Sequence, residues 1–365
     1  MKFFNLDLHI SVIADIQQIL GSMGHSVTSW NMSGHNWVFG RKRAVVDVIN
    51  PDNWPNINQS MCDAFYDRYK NELAQYDAFI VTYPPSFSML FEKWNKPIII
   101  VAPIRYELPF SNKPAEWEKF NEFIRRMTDS GKLILAANSK YDAEYGKYFT
   151  DREWMHIPSL CEYTNCRYSP SNNKFLYYSR LNHYTHYIGG SFIERMVDKS
   201  KALPSGYSWR DVMKFRGVVG IPYNISTMSI FEFYSQAMPL FFPSIDLMIR
   251  MKKDFNDKVL CEHSWNQTWN LPSGSVIRPG PNDPNDFLDL DKVKKWLPYA
   301  DFYDSEWMPH IQYFDDWNEF RDRIKGMEDN KLFEISNAMT VAQDSRRQKV
   351  KEKWQAVINK VKENL

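Results

Sequence analysis

Apolar and polar positions change period along this chain in a regular way. Phe3 to Leu8 is an apolar run of strand length, and Ile10 to Leu20 repeats its apolar positions at helical spacing before Gly21 and Gly24. His25 to Trp30 reads as a second strand. Tyr76 to Tyr83 is a third, followed by a short helix to Trp94. Pro97 to Pro103 is almost wholly apolar, the pattern of a strand covered on both faces. A helix over Pro114 to Ser130, a strand over Lys132 to Asn138, a helix over Ser139 to Phe149 and a short strand over Glu153 to Pro158 complete the first half.

The polar, irregular run from Ser159 to Asn173 reads as a linker. Beyond it, Lys174 to Ser179 is a strand, followed by Arg180 and a helix through Met196. Residues 217–244 then give a buried strand ending near Tyr223 and a turn holding Ser226, Thr227 and Ser229. A helix carrying Glu232 follows, stops before Pro239 and leads into an apolar strand from Leu240 to Phe242. A helix near Ile245 to Phe255, a Pro/Gly-rich loop over Pro272 to Pro284, an aromatic and acidic stretch through Asp316 and a charged helical tail from Asn318 finish the chain. Strands separated by helices predict α/β architecture with parallel, doubly wound sheets in two halves.

The length of 365 residues suits two domains. The 45 basic and 44 acidic residues leave a net charge of +1, so no broad cationic face is demanded and nucleic acid is not favoured as a partner. Cys62, Cys161, Cys166 and Cys261 show no metal-binding spacing and read as free thiols of a reducing compartment. No signal peptide is legible and no apolar run approaches the ~20 residues of a membrane span. The expectation is a cytoplasmic protein, a monomer or homodimer, in which the Asn-x-Ser/Thr matches at Asn58 and Asn266 are chance.

Candidate chemistry gathers at predicted strand ends, where open α/β sheets bind ligands. The helix start at Ser226 and Thr227, with free N–H groups and hydroxyls, is a phosphate seat, and Glu232 further along could grip two vicinal ribose hydroxyls. The same features also describe ordinary helix capping, with Glu232 complementing the helix dipole. Arg180 is either a diphosphate ligand or a surface arginine. Asp7 and His9 end the first strand; His9 is a candidate general base and Asp7 its partner, or else both belong to the helix start. Glu107 is a rival base after the most apolar strand, and Arg105 beside it either binds an anion or pairs with Glu107. His35 and Trp37 form a loop suited to stacking on a sugar, or an ordinary exposed loop. His183 and His186 lack a nearby third metal ligand, so no metal is expected.

The hydroxyl-rich turn, the helix with Glu232, the exit through Pro239 and the strand–Ser179–Arg180–Leu181 junction together resemble GT-B glycosyltransferases. Pro103-Ile-Arg-Tyr-Glu-Leu-Pro-Phe110 is similar to a segment of phage DNA β-glucosyltransferases, although their acidic base falls on Pro103 here. The resemblance implies two Rossmann-like domains facing across a cleft, residues 1–160 for the acceptor and 174–345 for the donor, with a terminal helix, 346–365, returning to the first domain. It further implies Pro222, Tyr223, Ser226, Thr227, Met228, Glu232 and Arg180 at a nucleotide sugar, and His35, Trp37, Arg105 and Tyr106 at the acceptor. A UDP-sugar as co-substrate, no cofactor and an inverting, metal-independent transfer to a polar hydroxyl follow from the same resemblance. The first acid of the retaining pair would fall on Asn224. A UDP-sugar epimerase, a DNA-base glucosyltransferase and a non-enzymatic sugar-binding module remain the alternatives.

Overall fold

The computed structural model describes residues 1–178, 196–204, 206–254, 259–260 and 273–365, and places them in two compact units. Unit 1 comprises Met1–Ser159, Val276–Pro279 and Gln348–Leu365; unit 2 comprises Leu160–Ser275 and Gly280–Arg347. Each is built on a parallel sheet, so the protein is α/β throughout.

Unit 1 carries strands β1 (Lys2–Asp7), β2 (Ser26–Asn31), β3 (Ala78–Val81), β4 (Ile98–Ala102), β5 (Leu133–Ala137) and β6 (Met155–His156) in the order β2-β1-β3-β4-β5-β6. Every pairing is parallel. All five residues of β4 are buried, since helices cover both faces, whereas β2 at the edge is only partly covered. The helices are α1 (Ile10–Ser22), α2 (Gln59–Leu73), α3 (Pro114–Asp129) and α4 (Lys140–Thr150), with a 3-10 stretch, Pro85–Trp94, after β3. Helix α2 is absent from the sequence reading. It buries Cys62, Phe65, Tyr69 and Leu73 at helical spacing, and Asn58 caps it by accepting from the Met61 N–H at 3.1 Å.

Unit 2 carries β7 (Phe175–Tyr178), β8 (Met196–Asp198), β9 (Val218–Gly220), β10 (Leu240–Pro243) and β11 (Gln312–Phe314) in the order β11-β10-β9-β7-β8, again all parallel. Short helices α5 (Lys199–Ala202) and α6 (Trp209–Val212) precede β9; α7 (Met228–Ser235) joins β9 to β10, and α8 (Ile245–Asp254) follows β10. Gly220 is required by packing: a Cβ there would come within 2.5 Å of the Phe242 ring on the adjacent strand. Met196, expected to end a helix, lies in β8, and the tail is two helices, Trp317–Lys325 and Asp329–Glu363, rather than one.

The stretch read as a linker is part of unit 2. Its Tyr168 N–H donates to the Gln236 carbonyl at 2.9 Å, and the Ser171 and Asn172 N–H groups both reach the Lys214 carbonyl. Of the terminal helix, residues through Arg347 belong to unit 2 and those from Gln348 to unit 1, where Trp354, Val357, Ile358 and Val361 are buried.

Both sheets reverse their winding once, between β1 and β3 in unit 1 and between β7 and β9 in unit 2. The carboxyl ends of those strand pairs are topological switch points, where open α/β sheets leave a crevice for ligands.

Candidate functional site

Asp7 sits at the switch point of unit 1 and ties its two strand ends together. Its Oδ2 accepts from the Thr82 hydroxyl at 2.5 Å, the Thr82 N–H at 3.1 Å and the Asn5 amide at 3.1 Å; its Oδ1 accepts from the N–H groups of His9 at 2.9 Å and Tyr83 at 3.1 Å. Burial pushes its pKa up to about 6 even though these donors favour the carboxylate. A carboxylate filled by five donors holds a loop in place; it does not offer itself to a substrate proton. The expected pairing of Asp7 with the His9 ring is replaced by this bond to the His9 backbone.

His9 is left with its imidazole unencumbered. The ring is half-buried and edge-on to Tyr83 at 6.3 Å, and its buried Nδ1 has no hydrogen-bond partner among the described residues. Burial first, and the nearby His35 second, lower its pKa to about 4, so the ring is neutral at physiological pH and a weaker base than a free imidazole. The His35 loop is folded onto this strand end. The Asn31 amide donates to the His9 carbonyl at 3.1 Å, and the buried Asn36 amide donates to the carbonyls of Asn31 at 2.7 Å and Lys42 at 3.2 Å. His35 and Trp37 are exposed on the loop's outer side.

Glu107, expected as a rival base, and Arg105 and Tyr106, expected at the acceptor, are buried in unit 1. Glu107 Oε1 accepts from Ser111 at 3.1 Å and Tyr145 at 3.0 Å and lies 3.8 Å from the Arg105 guanidinium. Burial raises its pKa, opposed by Arg105. Tyr106 is a core pillar whose hydroxyl donates to Asn121 at 2.5 Å and accepts from the Trp117 indole at 3.0 Å. Their segment follows the fully buried strand β4, and its aromatic and charged residues turn inward onto α3 and α4. A direct role as base for Glu107, or as acceptor contacts for Arg105 and Tyr106, does not fit this burial.

In unit 2 the chain leaving β9 turns through Ile221 to Thr227. The Ile221 N–H donates to the Tyr178 carbonyl at 3.2 Å, which joins the two strand ends of the switch point, and the Pro222 carbonyl accepts from the Leu260 N–H at 3.2 Å. Tyr223, Ser226 and Thr227 are buried in the turn, and Met228, the first residue of α7, is partly exposed. Thr227, rather than Ser226, is the N-cap. Its side chain makes no capping bond among the described residues. Ser229 bonds the Tyr178 hydroxyl at 3.1 Å instead of the helix start.

Glu232 lies on the second turn of α7, in a cluster that sequence reasoning missed. The Tyr163 hydroxyl donates to its Oε1 at 2.7 Å, and the Trp209 indole also hydrogen-bonds its carboxylate. Burial raises its pKa, opposed by Tyr163, Trp209 and the Lys199 charge. The Lys199 ammonium sits 4.7 Å from the ring centres of both Tyr178 and Tyr207. Tyr163, Trp209 and Lys199 come from the former linker, α6 and α5, so only the folded chain assembles them. Arg180, His183, His186 and Cys261 lie outside the described residues.

No protein-family model and no curated protein matches the chain. Among solved structures it is similar to the glycosyltransferase of kitacinnamycin, at 10% identity over 97% of this chain and 98% of that one with a TM-score of 0.45. It is also similar to the glycosyltransferase SnogD from Streptomyces nogalater (10% identity, 98% and 99% covered, TM-score 0.44) and to the calicheamicin glycosyltransferase CalG4 (10%, 98% and 98%, 0.41). These likenesses run the length of the chain and are loose; the fold is defined by the two parallel sheets themselves, which agree with the two-domain GT-B plan.

Proposed function

We propose that this chain is a nucleotide-sugar-dependent glycosyltransferase that moves a hexose or pentose to a hydroxyl of a glycan or similar polar acceptor. One observation carries the reading: at the switch point of unit 2, α7 starts from a buried hydroxyl-bearing turn, Ser226 and Thr227, and carries the buried carboxylate of Glu232. A helix N-terminus suits a diphosphate and a carboxylate suits vicinal ribose hydroxyls. Ser226, Thr227 and Met228 would seat the phosphates, Pro222 and Tyr223 would shape the turn behind them, and Arg180 is assigned to the diphosphate from its place after β7. UDP is the leaving group we favour.

In unit 1, His9 is the base that fits best. It follows β1 as the N-cap residue of α1 at the other switch point, is neutral, and keeps a ring nitrogen without a partner among the described residues. With the sugar's anomeric carbon attacked by the acceptor oxygen, the acceptor proton would pass to His9 while the glycosidic bond to the diphosphate breaks. That step inverts the anomeric centre and leaves the negative charge on the departing diphosphate. His35 and Trp37 would meet the acceptor.

The test is calorimetry with UDP, TDP and GDP on the intact chain, followed by a transfer assay with the sugar nucleotide of the best binder. A ligand present at a hundred times its dissociation constant stabilises by about 2.7 kcal/mol, enough to rank the three by thermal shift as well. Binding of none of them would end the reading.

A further inference from the structure

The loop after β2 exposes what a folded chain normally hides. Trp37 is 61% exposed, Val38 39% and Val45 92%, so three of the nine large hydrophobic side chains exposed among the described residues fall within nine positions. Scattered single exposures need no explanation, but a cluster does. Between them, Arg41, Lys42 and Arg43 are all exposed, and residues 34–46 contain no acidic side chain. The nearest acid along the chain, Asp47, is engaged with Arg68 at 2.8 Å.

The loop is also firmly built. Buried Asn36 bonds the carbonyls of Asn31 and Lys42, the Arg41 N–H returns to the Asn36 carbonyl at 3.0 Å, and the Ala44 N–H closes onto the Asn31 carbonyl at 2.8 Å. The loop leaves Trp37, Val38 and Val45 exposed with three exposed cations between them in sequence, of which Arg41 also donates to Gln17 at 2.6 Å.

We infer that this loop docks unit 1 on an anionic lipid surface. An indole is at home at the headgroup level, valines partition below it, and Lys and Arg pair with lipid phosphates. Nucleic acid would be served by the cations and the indole but gains nothing from Val38 and Val45, and the chain's net charge of +1 supplies no wider field to hold it. No helix among the described residues is long and apolar enough to cross a membrane, so the contact is peripheral. It places His9, within electrostatic reach of His35 on the same loop, beside the surface. The inference stands independently of the nucleotide-sugar reading, because its readout is binding to lipid.

The experiment is co-sedimentation of the full chain with vesicles of phosphatidylcholine alone and of phosphatidylcholine mixed with phosphatidylglycerol. We expect binding to the mixed vesicles only, weakened by salt. Each cation removed should lower partitioning about fivefold, so Arg41→Ala/Lys42→Ala/Arg43→Ala together should lower it roughly a hundredfold. Val45→Asp should also release the protein, with an unchanged melting temperature showing that the fold is intact. No preference for anionic vesicles, or equal binding by both variants and the wild type, overturns the inference. So does retention on a single-stranded oligonucleotide without retention on vesicles.

Discussion

The hydroxyl of Tyr163 donates to Oε1 of Glu232 at 2.7 Å, across 69 positions of sequence, so the carboxylate proposed for the ribose already holds a protein donor. Two consequences can be separated. Glu232→Gln removes a charge-assisted acceptor and should weaken the best-binding nucleoside diphosphate by about 1.5–3 kcal/mol in calorimetry. Tyr163→Phe should leave affinity equal or higher, because the carboxylate no longer has a protein donor to give up. Unchanged affinity in Glu232→Gln would take this residue out of the site.

Buried Tyr106 supplies a structural test. Tyr106→Phe strands the Trp117 indole N–H, which now donates to that hydroxyl at 3.0 Å, and should cost about 1–3 kcal/mol of stability. The denaturation midpoint should fall while nucleotide affinity and turnover hold. A loss of acceptor affinity at unchanged stability would return Tyr106 to the acceptor site.

What the sequence made legible is the scaffold. Pro97 to Pro103 is apolar at every strand position because β4 is covered on both faces, and the pattern strand–hydroxyls–helix–Pro–strand over 217–244 follows from local chain chemistry. The candidate site was legible only where a residue follows a strand closely, as His9 follows β1. Tyr163 and Trp209 reach Glu232 from segments with no periodicity, so tertiary contact alone reveals them. Glu107 misled because a carboxylate after a buried strand looks the same in sequence whether it faces solvent or, as here, Ser111 and Tyr145. Helix α2 was passed over because its four buried residues are diluted by polar and charged ones.

Asp7 and His9 make opposite demands on acid stability. Asp7 rises from 3.8 to about 6 on folding, so its contribution is fully present below about pH 4 and is lost as pH rises through 6. His9 falls from 6.5 to about 4, so its contribution is present above pH 6.5 and is lost as pH falls through 4. Between pH 4 and 6 the folded chain keeps one proton the unfolded chain releases and refuses one it binds, and the two slopes offset. Asp7→Asn should make stability fall on acidification through this window, by up to about 1.4 kcal/mol per pH unit, and His9→Gln should make it fall as pH rises. The readout is the slope of urea midpoints against pH, because Asp7→Asn also disturbs the Thr82 and Tyr83 bonds at every pH. Parallel slopes in the two variants would refute the assignment.

The base role proposed for His9 also makes a prediction about rate. If it takes the acceptor proton, His9→Ala should reduce transfer roughly 10²–10⁴-fold while the nucleotide Kd stays put, since the donor groups belong to unit 2. An unperturbed imidazole would make activity climb near pH 6–7. With its pKa held down to about 4, His9 is already neutral at pH 5, so the pH–rate curve should be flat from there to neutrality in the absence of another titrating group. Raising that pKa should move the limb: His35→Ala removes the second of its two causes, and at saturating acceptor the acid limb should shift to higher pH, whatever the height of the plateau. A plateau rate unaffected by His9→Ala, with donor and acceptor both bound, would leave the proton to the departing phosphate and favour a retaining transfer.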